Sequence, residues 1–332
     1  MSFSDMHLFN EQVQTVATET VADNVQLFNH ASAGALVLGN QTHLGDYLEE
    51  ASYQLISNVT SPRDVYAEAD AEDTVLDQLL DRSVKIDRRI GPIAWTTEQF
   101  RRQNKSEEEA GIIIGEQAAK GMLKDYLNAA IRGLRTALSL SKGEETTSFT
   151  SEVDDSSPVL ELLVNGASLL GDRSSALVAW VMHSRTYHAL VKEAVTNTQQ
   201  LFHIGDINVK EDGLGRRYII TDSPSLLAVK EAEDEATTIL TNTYTLGLVS
   251  GAVQVQTDEL HSVTADITGR TNLKKRWQGE YSFTLGLKGY SWAKPEVRSP
   301  DDDALSNAEN WKQMASSIKD TAGIIIDKKS QT

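Results

Sequence analysis

From Lys105 to Leu140 the sequence keeps a single helical rhythm, and no other stretch restricts the possible folds so strongly. Apolar residues fall at Ile112, Ala119, Met122, Leu123, Tyr126, Leu127, Ala130, Ile131, Leu134 and Leu138. That i, i+3, i+4 stripe marks a helix resting on one surface. At 1.5 Å per residue it would run about 50 Å, longer than most domain helices. Such a helix acts as a strut, and the rest of the chain has to supply what it braces.

With 332 residues the chain can bury a large core and divide into two or three domains. No apolar run approaches the ~18 residues of a membrane span, and no basic, apolar secretory start is present. The absence of cysteine excludes disulfides, thiolate metal sites and cysteine nucleophiles, and suits a reducing cytosol. A net charge of −17 argues against a nucleic-acid reader, whose affinity rests on lysine and arginine. The distribution says more than the sum. Residues 1–62 hold seven acids and neither lysine nor arginine, whereas Arg82, Lys85, Arg88, Arg89, Arg101, Arg102 and Lys105 cluster afterwards. Two solvated surfaces would produce this pattern. So would an acidic arm of one copy lying on a basic stretch of another.

The first sixty residues read as an extended arm with short helical pieces, needing a partner surface to order them. Ser83–Ile90 alternates as a strand that Gly91-Pro92 ends, and a second short strand follows at Ile93–Thr96. Trp95 there is an anchor, either in a core or at an interface. Ser141–Ser157, polar and aperiodic, reads as a loop. An α/β unit follows: a helix over Pro158–Leu170, a doubly buried strand at Ala176–Met182, a helix that Ser184 can cap, and a strand at Arg217–Thr221. Strands are expected at Tyr244–Val249, Ala252–Thr257, Ser262–Ile267 and Tyr281–Leu287. Ser299-Pro300-Asp301-Asp302-Asp303 starts a helix carrying Leu305, Ala308, Trp311 and Ala315 to about Lys319, and Gly323–Asp327 closes as a strand.

Little in the chain points to chemistry. His183 and His188 are five apart, which does not align their rings on a helix, and the other histidines are isolated. Helix capping accounts for Asp301–Asp303, and a tight turn for Gly213-Leu214-Gly215. No phosphate loop, dinucleotide fingerprint, nucleophile elbow or zinc-protease pattern occurs. No catalytic, cofactor-binding or metal-binding residues are therefore assigned.

Four local stretches, in order, resemble a known family. Ile114-Gly115-Glu116-Gln117-Ala118 continuing to Leu127-Asn128-Ala129-Ala130-Ile131 is similar to a spine helix. Ala179-Trp180-Val181-Met182-His183-Ser184, with Tyr187 and Leu190, is similar to a strand-to-helix step. Arg217–Pro224 resembles the strand after it, and Ser299-Pro300 with Asn307–Trp311 resembles a C-terminal element. The family is that of the major capsid proteins of tailed bacteriophages, with the Hong Kong 97-type α+β fold. The resemblance implies an N-terminal arm (1–61), an extended loop with a β-ribbon (62–104), a peripheral domain with the spine helix (105–150) and an axial domain (151–243). Peripheral-domain strands (244–298) and a C-terminal helix and strand returning to the axial domain (299–332) complete it.

It further implies hexamers and pentamers tiling an icosahedral head around double-stranded DNA, assembled in the host cytoplasm and ending in the virion. The expected partners are other copies of the chain, a separate scaffolding protein, a portal and a decoration protein, with packaged DNA contacted non-specifically and no membrane. No crosslinking lysine–asparagine pair can be aligned. Arg82, Lys85, Arg88, Arg89 and Trp95 are the candidate inter-subunit contacts. A nanocompartment shell of the same fold and a soluble cytosolic enzyme are the alternatives.

Overall fold

The computed structural model describes residues 3–39, 45–53, 78–96, 98, 102, 107–142, 145–151, 158–193, 198–213, 215–230, 240–268, 273–315 and 317–331. Much of the expected extended loop, residues 62–77 included, lies outside the described residues, as do Arg101 and Lys105.

Helix α1 spans Phe3–Ala31 and helix α2, the strut, spans Glu107–Leu138. Along α2 the stripe from Ala119 to Leu138 is at most 4 % exposed at Ala119, Met122, Leu123, Tyr126, Leu127, Ala130, Ile131, Leu134 and Leu138. Ile112, the first residue of the expected stripe, remains 43 % exposed. There the buried side of α2 is set by α1. A Cβ on Gly115 would sit 3.0 Å from the Val13 carbonyl oxygen, and one on Gly111 would sit 3.3 Å from the Phe9 ring. Small residues thus let the two helices close on each other.

The expectation of an extended arm with short helical pieces is corrected by α1, a single helix of 29 residues. Phe9, Val13, Ala17 and Val21 fall four apart and are buried, as are Phe28 and Ala31, so the stripe finds its partner within the chain. Its end is fixed as well. The Arg217 guanidinium donates to the carbonyls of His30 (2.6 Å) and Ala31 (3.2 Å), occupying acceptors that a helix C-terminus leaves open. Asn29 donates to Leu38 O (2.7 Å) and accepts from Leu38 N (2.9 Å), joining the helix to the following strand.

Among the described residues, two eight-stranded sheets flank α2. The first contains β1 (Leu36–Gly39), β2 (Tyr47–Tyr53), β3 (Gln78–Thr96), β13 (Val253–Thr257), β14 (His261–Ile267), β15 (Lys274–Leu287), β16 (Tyr290–Trp292) and β17 (Trp311–Gln313). The long strand β15 organises it, pairing with β3, β13, β14 and β16. The second runs β6 (Ser148–Thr150), β18 (Gly323–Gln331), β12 (Leu240–Val249), β7 (Leu177–Met182), β10 (Arg217–Ile220), β9 (Ile207–Asp212) and β8 (Thr198–Ile204), with β11 (Leu227–Lys230) on β12. A small hairpin, β4 (Ser141–Lys142) with β5 (Glu145–Thr146), follows α2.

The doubly buried reading of β7 matches its surroundings. Ala179 and Val181 enter the main core shared with α2, while Trp180 and Met182 enter a second core under α3 (Val159–Ser168) and α4 (Ser184–Glu193).

Three further expectations change, and one element is new. Gly91-Pro92 does not end the ribbon strand, because β3 runs on to Thr96. Gly91 at φ +84° instead forms a bulge where the register against β15 shifts between Trp277 and Gly279. The stretch expected as the loop Ser141–Ser157 contains β4, β5 and β6, the last parallel to β18. The helix expected from Asp301 to Lys319 is only α5, Asp302–Ser306. Asn307 caps a new turn through Glu309 N (3.0 Å), after which Trp311 pairs with Trp292 as a strand, the two rings edge to face at 5.0 Å. Finally, the β8–β9 hairpin was not legible in the sequence; its Phe202 meets Phe28 of α1 at 5.6 Å.

Deleting residues 1–31 therefore removes one wall of the core. The expected result is loss of soluble, cooperatively melting protein, checked by thermal melting and binding of an apolar dye. A truncated chain with an unchanged melt would show that α1 is dispensable to the fold.

Candidate subunit interface

Strand β3 carries all five candidate residues. Its Val84, Ile86 and Arg88 alternate with Lys85, Asp87 and Arg89, so one face turns to α2 and the other to solvent. The side facing α2 is apolar where Val84 and Ile86 are fully buried beside Phe283 and Leu285 of β15.

The chain itself supplies acidic partners for three of the four basic candidates. Arg82 pairs with Glu49 of β2 at 2.7 Å and lies over the Tyr47 ring. Lys85 pairs with Asp258 at 2.7 Å, and Ser282 donates to the same carboxylate at 2.6 Å. Arg88, on the inner face, meets Asp125 of α2 at 3.2 Å and Asp302 of α5. Arg132 of α2 reaches Asp302 at 3.1 Å. Arg89 is different: exposed and opposite Glu280 in register, it has no ion pair among the described residues. Trp95 is 8 % exposed, with its ring 5.6 Å from Phe9 in a small core that also holds Trp277. Within the described fold it is a core anchor.

The Asp125–Arg88–Asp302–Arg132 chain ties β3, α2 and α5 together below the ribbon. Burial opposes the Arg88 charge, but Asp125 and Asp302 outweigh that and raise its pKa above the ordinary arginine value. Tyr281 donates to Asp125 at 2.8 Å. Burial, and then the neighbouring Asp125 carboxylate, push the pKa values of Tyr281 and Tyr126 well above that of free tyrosine. No spacing in the sequence signals this network. Asp125 reads as an ordinary exposed acid of the helix, and Asp302 as one of three capping acids. In fact only Asp301 caps α5, accepting from Ala304 N at 2.8 Å.

Two of the stretches that carried the family resemblance, Ala179–Ser184 and Arg217–Pro224, come together at the ends of the parallel strands β7 and β10. There the Ser184 hydroxyl donates to Asp222, and His183 Nε2 lies 3.5 Å from the same carboxylate. His183 Nδ1, rather than Ser184, takes the first-turn amide of α4, accepting from Arg185 N at 3.1 Å. The imidazole does not stand between hydroxyl and carboxylate, so the trio is a structural cap and lacks the relay geometry of a hydrolase. No cluster of three or more histidine or acidic residues able to hold a metal occurs among the described residues. No helix among them is long and apolar enough to cross a membrane.

The family model described as Gp13-like, major capsid protein 13-like, matches residues 5–325. The chain belongs to that family. This capsid protein matches no curated protein sequence. Its fold is similar to that of a structure from Microbacterium phage Oxtober96, at 9 % identity over 90 % of each chain with a TM-score of 0.50. A structure from Mycobacterium phage Cain gives 10 % identity over 90 % of each chain, also at 0.50. The capsid structure of cyanophage P-SCSP1u aligns at 9 % identity over 90 % of this chain and 87 % of its own, with a TM-score of 0.47. The family match and the two folds at a TM-score of 0.50 show the expected α+β capsid fold, and a capsid protein forms part of a virion.

Two outcomes follow from the network. Arg88→Met strands Asp125 and Asp302 and should destabilise the protein by about 2 kcal/mol, less than the ~3–5 for a fully buried pair because the side chain is still partly wet. Denaturant melts check it, and a loss of only a few tenths would mean the pairs contribute nothing. The second concerns alkali. Tyr126 and Tyr281 keep their protons in the fold beyond the pH, about 10, at which the unfolded chain loses them. The stability they add is whole below that pH and is lost as the pH rises through their folded pKa values. Melting temperature should fall above about pH 10, and less steeply in Tyr126→Phe.

Proposed function

We propose that this chain is the major capsid protein that assembles as hexamers and pentamers into the icosahedral head around a double-stranded DNA phage genome. The family match over residues 5–325 carries the reading. Within it, α1 is the N-terminal arm, α2 the spine of a peripheral domain completed by the first sheet, and the second sheet with α3 and α4 the axial domain. The β2–β3 hairpin forms the base of the extended loop, which lies across a neighbouring subunit.

The charge of the chain supports this role. A net −17 spread over many copies repels packaged DNA, so the shell contains the genome without gripping it. Arg82, Lys85 and Arg88 are already neutralised by acids of their own chain, whereas Arg89, exposed and with no ion pair among the described residues, faces a neighbour. A separate scaffolding protein, a portal and a decoration protein complete assembly, which takes place in the host cytoplasm. The chain itself has no catalytic centre and needs no cofactor.

Expression alone and with the neighbouring phage proteins, followed by sedimentation and electron microscopy, tests the proposal. Rings and closed shells are expected, forming equally well in chelator. A compact monomer under every condition would overturn it.

A further inference from the structure

Strand β14 pairs only with β15 among the described residues, which leaves one of its edges without a strand. Backbone N–H and C=O groups along such an edge are a template for another chain, and proteins usually guard them with charge, proline, bulges or brevity. The other long edges are guarded. Strand β2 carries Glu49, β8 has a register shift between Gln200 and Phe202, and the far part of β3 holds Pro92 and a bulge. β14 (His-Ser-Val-Thr-Ala-Asp-Ile) has seven residues, a single acid that sits opposite Lys275 where β2 has two adjacent ones, no lysine, no proline and an unbroken register. The two most exposed large apolar side chains of the described residues also lie here, Val263 at 68 % and Leu273 at 69 %.

We infer that β14 pairs antiparallel with β14 of a second copy about a two-fold axis, joining two first sheets into one. The inference rests on the capsid reading, since shells built of rings also need contacts between rings. It is the sequence of the strand that names the occupant. Centred on Thr264, the two-fold places Val263 opposite Ala265, Ser262 opposite Asp266, His261 opposite Ile267, and Thr264 opposite itself. Every pair is compatible. On the solvent face valine meets alanine and the imidazole ring meets isoleucine; on the other face Ser262 meets Asp266, Thr264 keeps its hydroxyl on Asn10 of α1 (2.7 Å), and no like charges are opposed. Asp266, the only acid of the strand, already faces Lys275 across β15. An isologous contact of this kind is self-complementary and closes, whereas head-to-tail strand addition would run on as a fibre.

The cysteine-free chain permits a direct test. Val263→Cys and Ala265→Cys are made separately, one with a mass tag, co-assembled and oxidised. Opposed positions bring Cα atoms to ~4.5–5.5 Å, within disulfide reach, whereas 263 to 263 and 265 to 265 are diagonals near ~8 Å and beyond it. The heterodimer should exceed either homodimer at least tenfold. Shells with no crosslink, or with all three dimers equal, would overturn the pairing while leaving the capsid reading intact. Chains that remain monomeric and uncrosslinked would overturn both.

Charge gives an independent check. Val263→Asp with Ala265→Asp opposes carboxylates across the axis and should stop rings from joining. Val263→Lys with Ala265→Asp makes two complementary pairs and should restore it. Equal assembly by both variants would sink the inference.

Discussion

The simultaneous burial of α2 by α1 and by both sheets is the constraint on which the structure depends. Its 32 residues give a rod, and a rod has enough side-chain surface to serve several layers at once. The T-shaped contacts of Tyr126 with Phe283 at 4.9 Å and with Tyr281 at 5.8 Å seat its middle on β15. Gly133, where a Cβ would come within 3.3 Å of Leu285 and Trp311, lets the next turn approach the same sheet. Leu134 and Leu138 continue into the core shared with β12 and β18. Neither sheet has a complete core without the helix, so the two lobes are built as one body.

Electrostatics refine this body. Arginine and lysine of the ribbon look in sequence like a basic patch awaiting an acidic partner. Their partners are Glu49, Asp125, Asp258 and Asp302, between 33 and 214 positions away along the chain. A patch that is basic over a short window is thus close to neutral in space, with Arg89 the candidate that has no ion pair among the described residues.

What could be read in advance followed from periodicity. The α2 stripe, the apolar run of β7, and β12 to β15 announce themselves by spacing, because burial repeats at about 3.6 or 2 residues. Two of the stretches resembling capsid proteins also meet in space, where Ser184 and Asp222 close the ends of neighbouring parallel strands. Elements decided by distant partners were not legible. The apolar positions of α1 looked scattered until α2 was opposite them. Trp311 fits a helical stripe, yet Trp292 draws it into a strand. The Gly91-Pro92 pair reads as a stop unless β15 is long enough to carry the strand past a bulge. The ion-pair network beneath β3 depends on contacts that no local window contains.

The fixing of α1 at both ends has a consequence in time. Helix α1 leaves the ribosome first, but the groups that hold it arrive late: Arg217 for its C-terminus, and Trp277 for the small core around Phe9. Strand β3 likewise waits for β15, far along the chain, before its ladder can form. Long-range closure of this kind is slow, because loop entropy must be overcome before contacts compensate. The stripe of α1 can therefore settle on α2 as soon as that helix is made, but both ends of α1 stay unfixed until Arg217 and Trp277 emerge, and the apolar surface around Phe9 is exposed to misassociation until then.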